Sequence, residues 1–345
     1  MLNHTWPNVL NPLIAGEQID SDSLRWAMTQ IMEGGATAGQ ISAFLVALRA
    51  KGETAADVDA LLDVMLQFST PLEVNQPVVD TCGTGGDNAH TVNISTMAAI
   101  VVAACGGKVV KHGNRAASSK CGSADLLEAL GLSMELDVKQ VAENLNRAGI
   151  TFCFAPTFHP AMRFAGPVRK ELGVPTVFNI LGPLANPARP NAQVVGVANP
   201  KFVRTVAEVL HRRGIKALVV RGHDGLDEIS TSAPTEVWSA LGNELSMFTF
   251  DPTEFGLIAP NLTALAGGDA EFNARAARDL FAGERSEIID AIADAVAINA
   301  AAALVALSAV DAEVNNPFAA LKLHYNEALA AIRDGRAAKV LEAWI

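Results

Sequence analysis

The chain has 345 residues, half of them apolar, enough to bury one large or two modest cores and too apolar to stay disordered. A formal net charge of -11 argues against nucleic acid as a partner, because phosphate backbones are bound through basic faces. The four cysteines lack C-x-x-C spacing and the seven histidines are scattered, so a zinc site is not indicated and reduced thiols in a cytoplasmic protein are expected.

The opening residues MLNHTWPNVL carry neither a basic stretch nor an apolar run, and no signal peptide is expected. Up to about residue 72 the periodicity predicts three short helices. In the first, Leu24, Ala27, Met28, Ile31 and Met32 share a face, and Gly34-Gly35 stop it. The second opens on the capping pattern Thr37-x-x-Gln40, carries Ile41, Phe44, Leu45 and Leu48, and ends before Gly52. The third follows Thr54 and buries Val58, Leu61, Leu62 and Met65. No strand interrupts them, so residues 1–72 are expected to form a helical domain.

From Val78 the texture changes to short β-rich runs alternating with helices. Pro77-Val78-Val79 reads as the end of a buried strand and MAAIVVAAC as a buried helix. KVVKHG, ITFCF, AQVVGVA and KALVVRG read as strands; SADLLEALG, DVKQVAENLNRAG and PKFVRTVAEVLHRRG read as helices. That alternation predicts an α/β domain over residues 73–345 with a mainly parallel sheet. Functional loops of such sheets lie beyond the C-terminal strand ends. Residues 288–310 are the most membrane-like stretch, but Asp290 and Asp294 interrupt it, and a core helix is expected there, with no membrane as partner.

Four segments concentrate polar groups where neither a core nor a plain surface needs them. The first, DTCGTGGDNAHTVNIST, follows a strand and precedes a helix, the arrangement that gathers backbone N–H groups around an anion. It is no dinucleotide fingerprint, since Asn88 stands where the last glycine belongs, and no Walker loop, since Gly-Lys-Ser/Thr is absent. A glycine turn with an N-cap is the competing reading. The second, KHGNRAASSKCGSAD, directs Lys111, Arg115 and Lys120 with Ser118, Ser119 and Ser123 toward an oxygen-rich anion, or makes a solvated basic loop. In the third, HDGLDEIS, Asp227 and Glu228 suit magnesium or its waters, or an acidic turn. The fourth, residues 158–187, threads prolines and glycines through an apolar stretch holding His159, Arg163 and Arg169. An arginine there suits a carboxylate clamp or an ordinary ion pair.

In their order, GTGGD, NIST, KHGNRAASS, GSAD, RKELG, FNILGPLANP and DGLDE resemble the signatures of the anthranilate phosphoribosyltransferases, and the resemblance covers most of the chain. Cys82, Cys121 and Ala117 depart from the pattern without removing a functional group. The resemblance implies a nucleoside phosphorylase/phosphoribosyltransferase-like fold, with a segment around 165–190 joining the helical domain and residues 73–345 binding the phosphoribosyl donor. It implies transfer of the phosphoribosyl group of phosphoribosyl pyrophosphate to the amino group of anthranilate, in tryptophan biosynthesis.

By the same resemblance, Gly83, Gly86, Asp87, Thr91, Asn93, Ile94, Ser95 and Thr96 contact the donor. So do Lys111, His112, Gly113, Asn114, Arg115, Ala116, Ala117, Ser118, Ser119 and Ser123. Ser95, Asp227 and Glu228 hold Mg2+, directly or through water. Gly83, Asn114 and Arg169 contact anthranilate, with His159 lining its route. A homodimer through the helical domain is also implied. No residue is expected to be a covalent catalyst. The rival classes are a pyrimidine nucleoside phosphorylase-like enzyme, against which KHGNRAASS counts, and a non-enzymatic nucleic-acid-binding relative, against which the acidic charge and the Asp227-Glu228 pair count.

Overall fold

The computed structural model describes residues 4–116, 119–257, 262–314 and 316–345. The chain forms two compact units, Met1–Pro71 with Ala155–Pro187, and Leu72–Phe154 with Ala188–Ile345.

The first unit is helical. Asp20 caps the helix Ser21–Met32 by accepting from Ser23 N at 2.8 Å. Thr37 and Gln40 form the reciprocal capping box of Ala38–Lys51, and Thr54 with Asp57 repeats it for Ala55–Gln67. The expected apolar faces are the buried ones, with Leu24, Met28, Ile31, Phe44, Leu48, Val58 and Leu61 wholly inside. A fourth helix, Trp6–Ile14, precedes these three. Its prolines obscure it in the sequence, although one sits in the first turn, where no N–H is needed. Val9 and Leu13, one helical turn apart, are its buried residues, and Trp6 packs on Trp26 at 5.3 Å between ring centroids.

Prolines and glycines break Ala155–Pro187 into short pieces. Of these, Gly166–Leu172 lies against Ala38–Lys51, and Phe178–Leu184 against Ala55–Gln67. The helical unit is therefore discontinuous in sequence.

The second unit holds one seven-stranded sheet. Its strands are β1 (Val79–Gly83), β2 (Val109–Gly113), β3 (Ile150–Phe154), β4 (Ala192–Gly196), β5 (Lys216–Gly222), β6 (Thr235–Ser239) and β7 (Ser246–Phe250). The order is β3-β2-β1-β4-β5-β6-β7, parallel from β3 to β5 and antiparallel for the last two. β1 begins at Val79, so Asp80, Thr81 and Cys82 belong to the strand and not to the loop. The chain reverses its direction of winding between β1 and β4, and this type of crevice binds ligands in open α/β sheets.

The helices Ile94–Ala104 and Glu287–Ser308 pack together in the core. By length and composition the latter is apolar enough to cross a membrane, but 78% of its apolar window is buried inside the protein. Its one buried amide, Asn299, is fully engaged: Oδ1 accepts from Ile229 N at 2.9 Å, and Nδ2 donates to Ile229 O at 3.0 Å.

Candidate active site

At the β1/β4 reversal the loops are stitched by backbone. Thr84 N donates to Gly196 O at 2.9 Å, and Ala198 N donates to Thr84 Oγ1 at 3.2 Å. The turn after β5 folds over both strand ends. Gly85 N donates to Asp227 Oδ2 at 2.7 Å. A Cβ at Gly83 would overlap the Asp227 carboxylate, and one at Gly196 would overlap the Asp227 carbonyl. Only glycine at both strand ends lets that turn lie so close. Asn88, the residue that spoils the dinucleotide fingerprint, takes left-handed backbone at φ 59.

Next to Asp227, Glu228 Oε1 accepts from Ser95 N at 3.2 Å, which ties the acidic turn to the start of Ile94–Ala104. Burial pushes the Asp227 carboxyl up from the ordinary range, and Asp87 adds to it. Burial and then Asp227 push Glu228 up likewise, against the pull of Lys111. Lys111 is 2% exposed; its Nζ donates to Thr81 O and, at 3.4 Å, to Ser95 Oγ. Negative charge at Asp87 thus works against ionisation of both carboxyls, and Lys111 works in favour of that of Glu228.

The expectation places Lys111 against donor phosphates; here it is buried in β2, a strand covered on both faces, with its Nζ under Ser95. Ile94, Thr96 and His112 are also buried beneath the loops, with His112 N donating to Asp80 Oδ1 at 3.3 Å. Gly86, Asp87, Thr91, Asn93 and Ser95 keep some exposure around the crevice.

In the following loop Asn114 and Arg115 are exposed and Gly113 and Ala116 half-buried. Arg115 bonds Glu128 at 2.7 Å and Asp125 at 3.1 Å, partners within its own unit. Ser119 Oγ donates to Cys121 O, and Ser123 Oγ donates to Asn114 O at 3.2 Å. Ala117 and Ser118 lie outside the described residues.

His159 and Arg169 belong to the helical unit. Arg169 is half-buried with its guanidinium 5.0 Å from the centre of the Phe178 ring. Among the described residues no carboxylate pairs with it, and burial lowers its pKa. An ordinary ion pair is thus absent there.

His159 is 4% exposed and its Nε2 donates to Ala185 O at 2.8 Å. Burial holds the imidazole below its ordinary value of 6.5, outweighing that bond. Well above this value the ring is neutral in both folded and unfolded chains. As pH falls through it, the unfolded chain takes a proton that the folded one refuses, so stability drops by up to ~1.4 kcal/mol per pH unit until the folded ring also protonates. His159→Gln keeps an N–H for Ala185 and is expected to flatten the fall in melting temperature between about pH 7 and pH 5.5. An unchanged slope in thermal melts would assign the acid sensitivity elsewhere.

The donor set around Ser95, Asp227 and Glu228 is all hard oxygen, which fits magnesium and not zinc. No group of three His, Cys, Asp or Glu among the described residues could hold a metal by itself. Two carboxylates whose ionisation is opposed by burial, by Asp87 and, for Glu228, by Asp227 are what a divalent cation would relieve. The residues therefore fit Mg2+ with ligand and water oxygens completing its shell.

Sequence reading did not single out Asn299, Asn273 or Asp80. Asn299 carried a signal nonetheless, as a lone amide in the apolar run AINAAAAL. Asn273 and Asp80 carried none.

Two family descriptions match the chain: glycosyl transferase family, helical bundle domain, over residues 7–69, and glycosyl transferase family, a/b domain, over residues 75–338. The anthranilate phosphoribosyltransferase of Arthrobacter sp. (strain FB24) is 49% identical over 345 residues, covering 99% of this chain and 96% of that protein. That of Acidothermus cellulolyticus is 51% identical over 343 residues, covering 99% of this chain and 94% of that protein. The crystal structure of the enzyme from Thermus thermophilus superposes with a TM-score of 0.89 at 39% identity, covering 98% of each chain. The Saccharomyces cerevisiae enzyme in complex with PRPP and Mg gives 0.86 at 29% identity, covering 99% of this chain and 96% of that one.

Proposed function

We infer that this chain, which belongs to the anthranilate phosphoribosyltransferase family, transfers the phosphoribosyl group of phosphoribosyl pyrophosphate to the amino group of anthranilate, in tryptophan biosynthesis. The observation that carries the reading is the Asp227-Glu228 turn lying across the ends of β1 and β4, bonded to Gly85 N and Ser95 N.

The bond from ribose carbon to pyrophosphate oxygen breaks while the amine nitrogen bonds to that carbon, and the surplus proton then leaves the nitrogen. The ribosyl carbon develops cationic character on the way, as at a glycosidic centre. Gly86, Thr91, Asn93 and Ser95 hold the donor together with residues 113–119 and Ser123. Lys111, fixed beneath Ser95, adds positive potential without having to reorganise. Ser95, Asp227 and Glu228 would hold Mg2+, which would supply positive charge for the leaving pyrophosphate. Arg169 reads the acceptor carboxylate.

An aromatic amine is neutral near pH 7, so no strong base and no covalent intermediate are needed. Burial pushes the Cys121 thiol up to about 11, which leaves this loop without a thiolate nucleophile.

Magnesium dependence is supported by the oxygen donor set, and a cytoplasmic setting by four cysteines kept as thiols. A homodimer through the helical unit is supported by Ile14 and Val46, 71% and 48% exposed on two helices that pack together. In the decisive assay, protein with magnesium and phosphoribosyl pyrophosphate consumes anthranilate fluorescence with time, and omitting either abolishes the loss. Stable fluorescence in the complete mixture would overturn the reading.

A further inference from the structure

Asn93 heads the helix Ile94–Ala104, but its side chain makes no cap bond to that helix. Instead Nδ2 donates to Cys121 O at 3.1 Å, while Oδ1 accepts from Asn273 Nδ2 at 2.8 Å and from Cys121 Sγ at 3.3 Å. The direction of both amides is fixed by backbone. Asn273 Oδ1 must face Gly268 N, which donates to it at 2.8 Å, so its Nδ2 faces Asn93. Asn93 Nδ2 must face the Cys121 carbonyl, so its Oδ1 faces Asn273. Two primary amides are thus locked head to tail, one of them only 2% exposed.

Asn273 lies on the helix Ala270–Phe281, which has its own cap in Asp269 and does not need it for that purpose. The chain just before this helix is bonded to the loop that leads into Ser95: Val92 N donates to Leu265 O at 2.9 Å, and Gly267 N donates to His90 O at 2.8 Å. The amide pair extends that grip to Asn93 and, through Cys121, to the turn bearing Ser123. Three segments distant in sequence meet at one side chain.

We propose that Asn273 is a positioning residue for the phosphoribosyl-donor site, acting through Asn93 on the Ser95 segment and on the Cys121–Ser123 turn. This rests on the reading of the site as a donor site. Removing the Asn273 amide leaves Asn93 Oδ1 without its stronger donor and lets the two loops rotate apart, so donor affinity falls and the acceptor constant does not.

The test is calorimetric titration of the unmodified protein, Asn273→Ala and Asn273→Asp with phosphoribosyl pyrophosphate and magnesium, together with KM for each substrate and thermal melts. Asn273→Asp has the native shape and keeps the bond to Gly268 N, but turns a carboxylate toward Asn93 Oδ1, so it remains informative where Asn273→Ala folds poorly. Both variants are expected to weaken donor binding about tenfold, as loss of one well-made buried hydrogen bond does, with KM for anthranilate within about twofold of the original. Failure of the unmodified protein to bind the donor would overturn the site reading and this proposal with it. Binding by the unmodified protein with equal affinity in both variants would overturn the proposal alone. A lowered melting temperature with both KM values unmoved would also overturn it, as the mark of a merely structural residue.

Discussion

Asp227→Asn combined with Glu228→Gln is expected to lower turnover by about a thousandfold, since cation stabilisation of a leaving pyrophosphate is worth several kcal/mol and each 1.36 kcal/mol is tenfold. The amides keep acceptors for Gly85 N and Ser95 N, so the turn should hold its shape. The fold is expected to survive for a second reason. In the native protein burial and the charge of Asp87 oppose ionisation of both carboxylates, and removing that repulsion offsets the attraction of Glu228 to Lys111 that is also lost. Melting temperature should therefore stay within a few degrees while activity collapses. Near-native turnover at limiting magnesium would refute the metal assignment, and a chain that no longer melts cooperatively would make the pair structural.

The second large effect concerns the acceptor. Anthranilate differs from aniline by one ortho carboxylate, and a selective site needs a partner for it. Arg169 is half-buried, stacked on Phe178 and without a carboxylate partner among the described residues, so its fork is available. A hydrogen bond to a charged group contributes roughly 1.5–3 kcal/mol, so Arg169→Ala should raise KM for anthranilate by about 10- to 150-fold. KM for the donor should change far less, because the phosphates have their own loops. Steady-state kinetics with each substrate varied in turn decide the matter. Equal rises in both constants would mean that Arg169 supports the helical unit and does not read the acceptor.

The parts of this protein that were legible beforehand are those with a local physical cause. Capping side chains announce the helices at Thr37 and Thr54, and β-rich runs announce β2 to β5. Trp6–Ile14 escaped because proline is counted against helices and one of its prolines lies inside it. β6 and β7 escaped because neither is a continuous apolar run: β6 alternates buried with half-buried residues, and β7 buries only Phe250. The resemblance alone implied that a segment around 165–190 joins the helical domain; no local pattern does, since the pieces of Ala155–Pro187 bury their faces on helices more than a hundred positions away.

The same distinction runs through the site. The adjacent carboxylates Asp227 and Glu228 stand out by residue type, but the burial of Lys111 under Ser95 does not, because it is set by the helix and loops that cover both faces of β2. Asn273 could not be singled out, because its partner Asn93 lies 180 positions away.

The pairing of Asn299 with both backbone groups of Ile229 bears on how firmly the acidic turn is held. The peptide following Glu228 is tied to a helix that is buried along most of its length, so freeing it means exposing the interior of the α/β unit. The acidic turn is thereby placed in the same cooperative unit as the core, and its local opening costs nearly as much as global unfolding. The Asn114–Arg115 stretch, exposed and held by surface ion pairs, belongs to a cheaper class of excursion. Slow amide exchange is thus built into the carboxylate end of the crevice and fast exchange into the opposite loop.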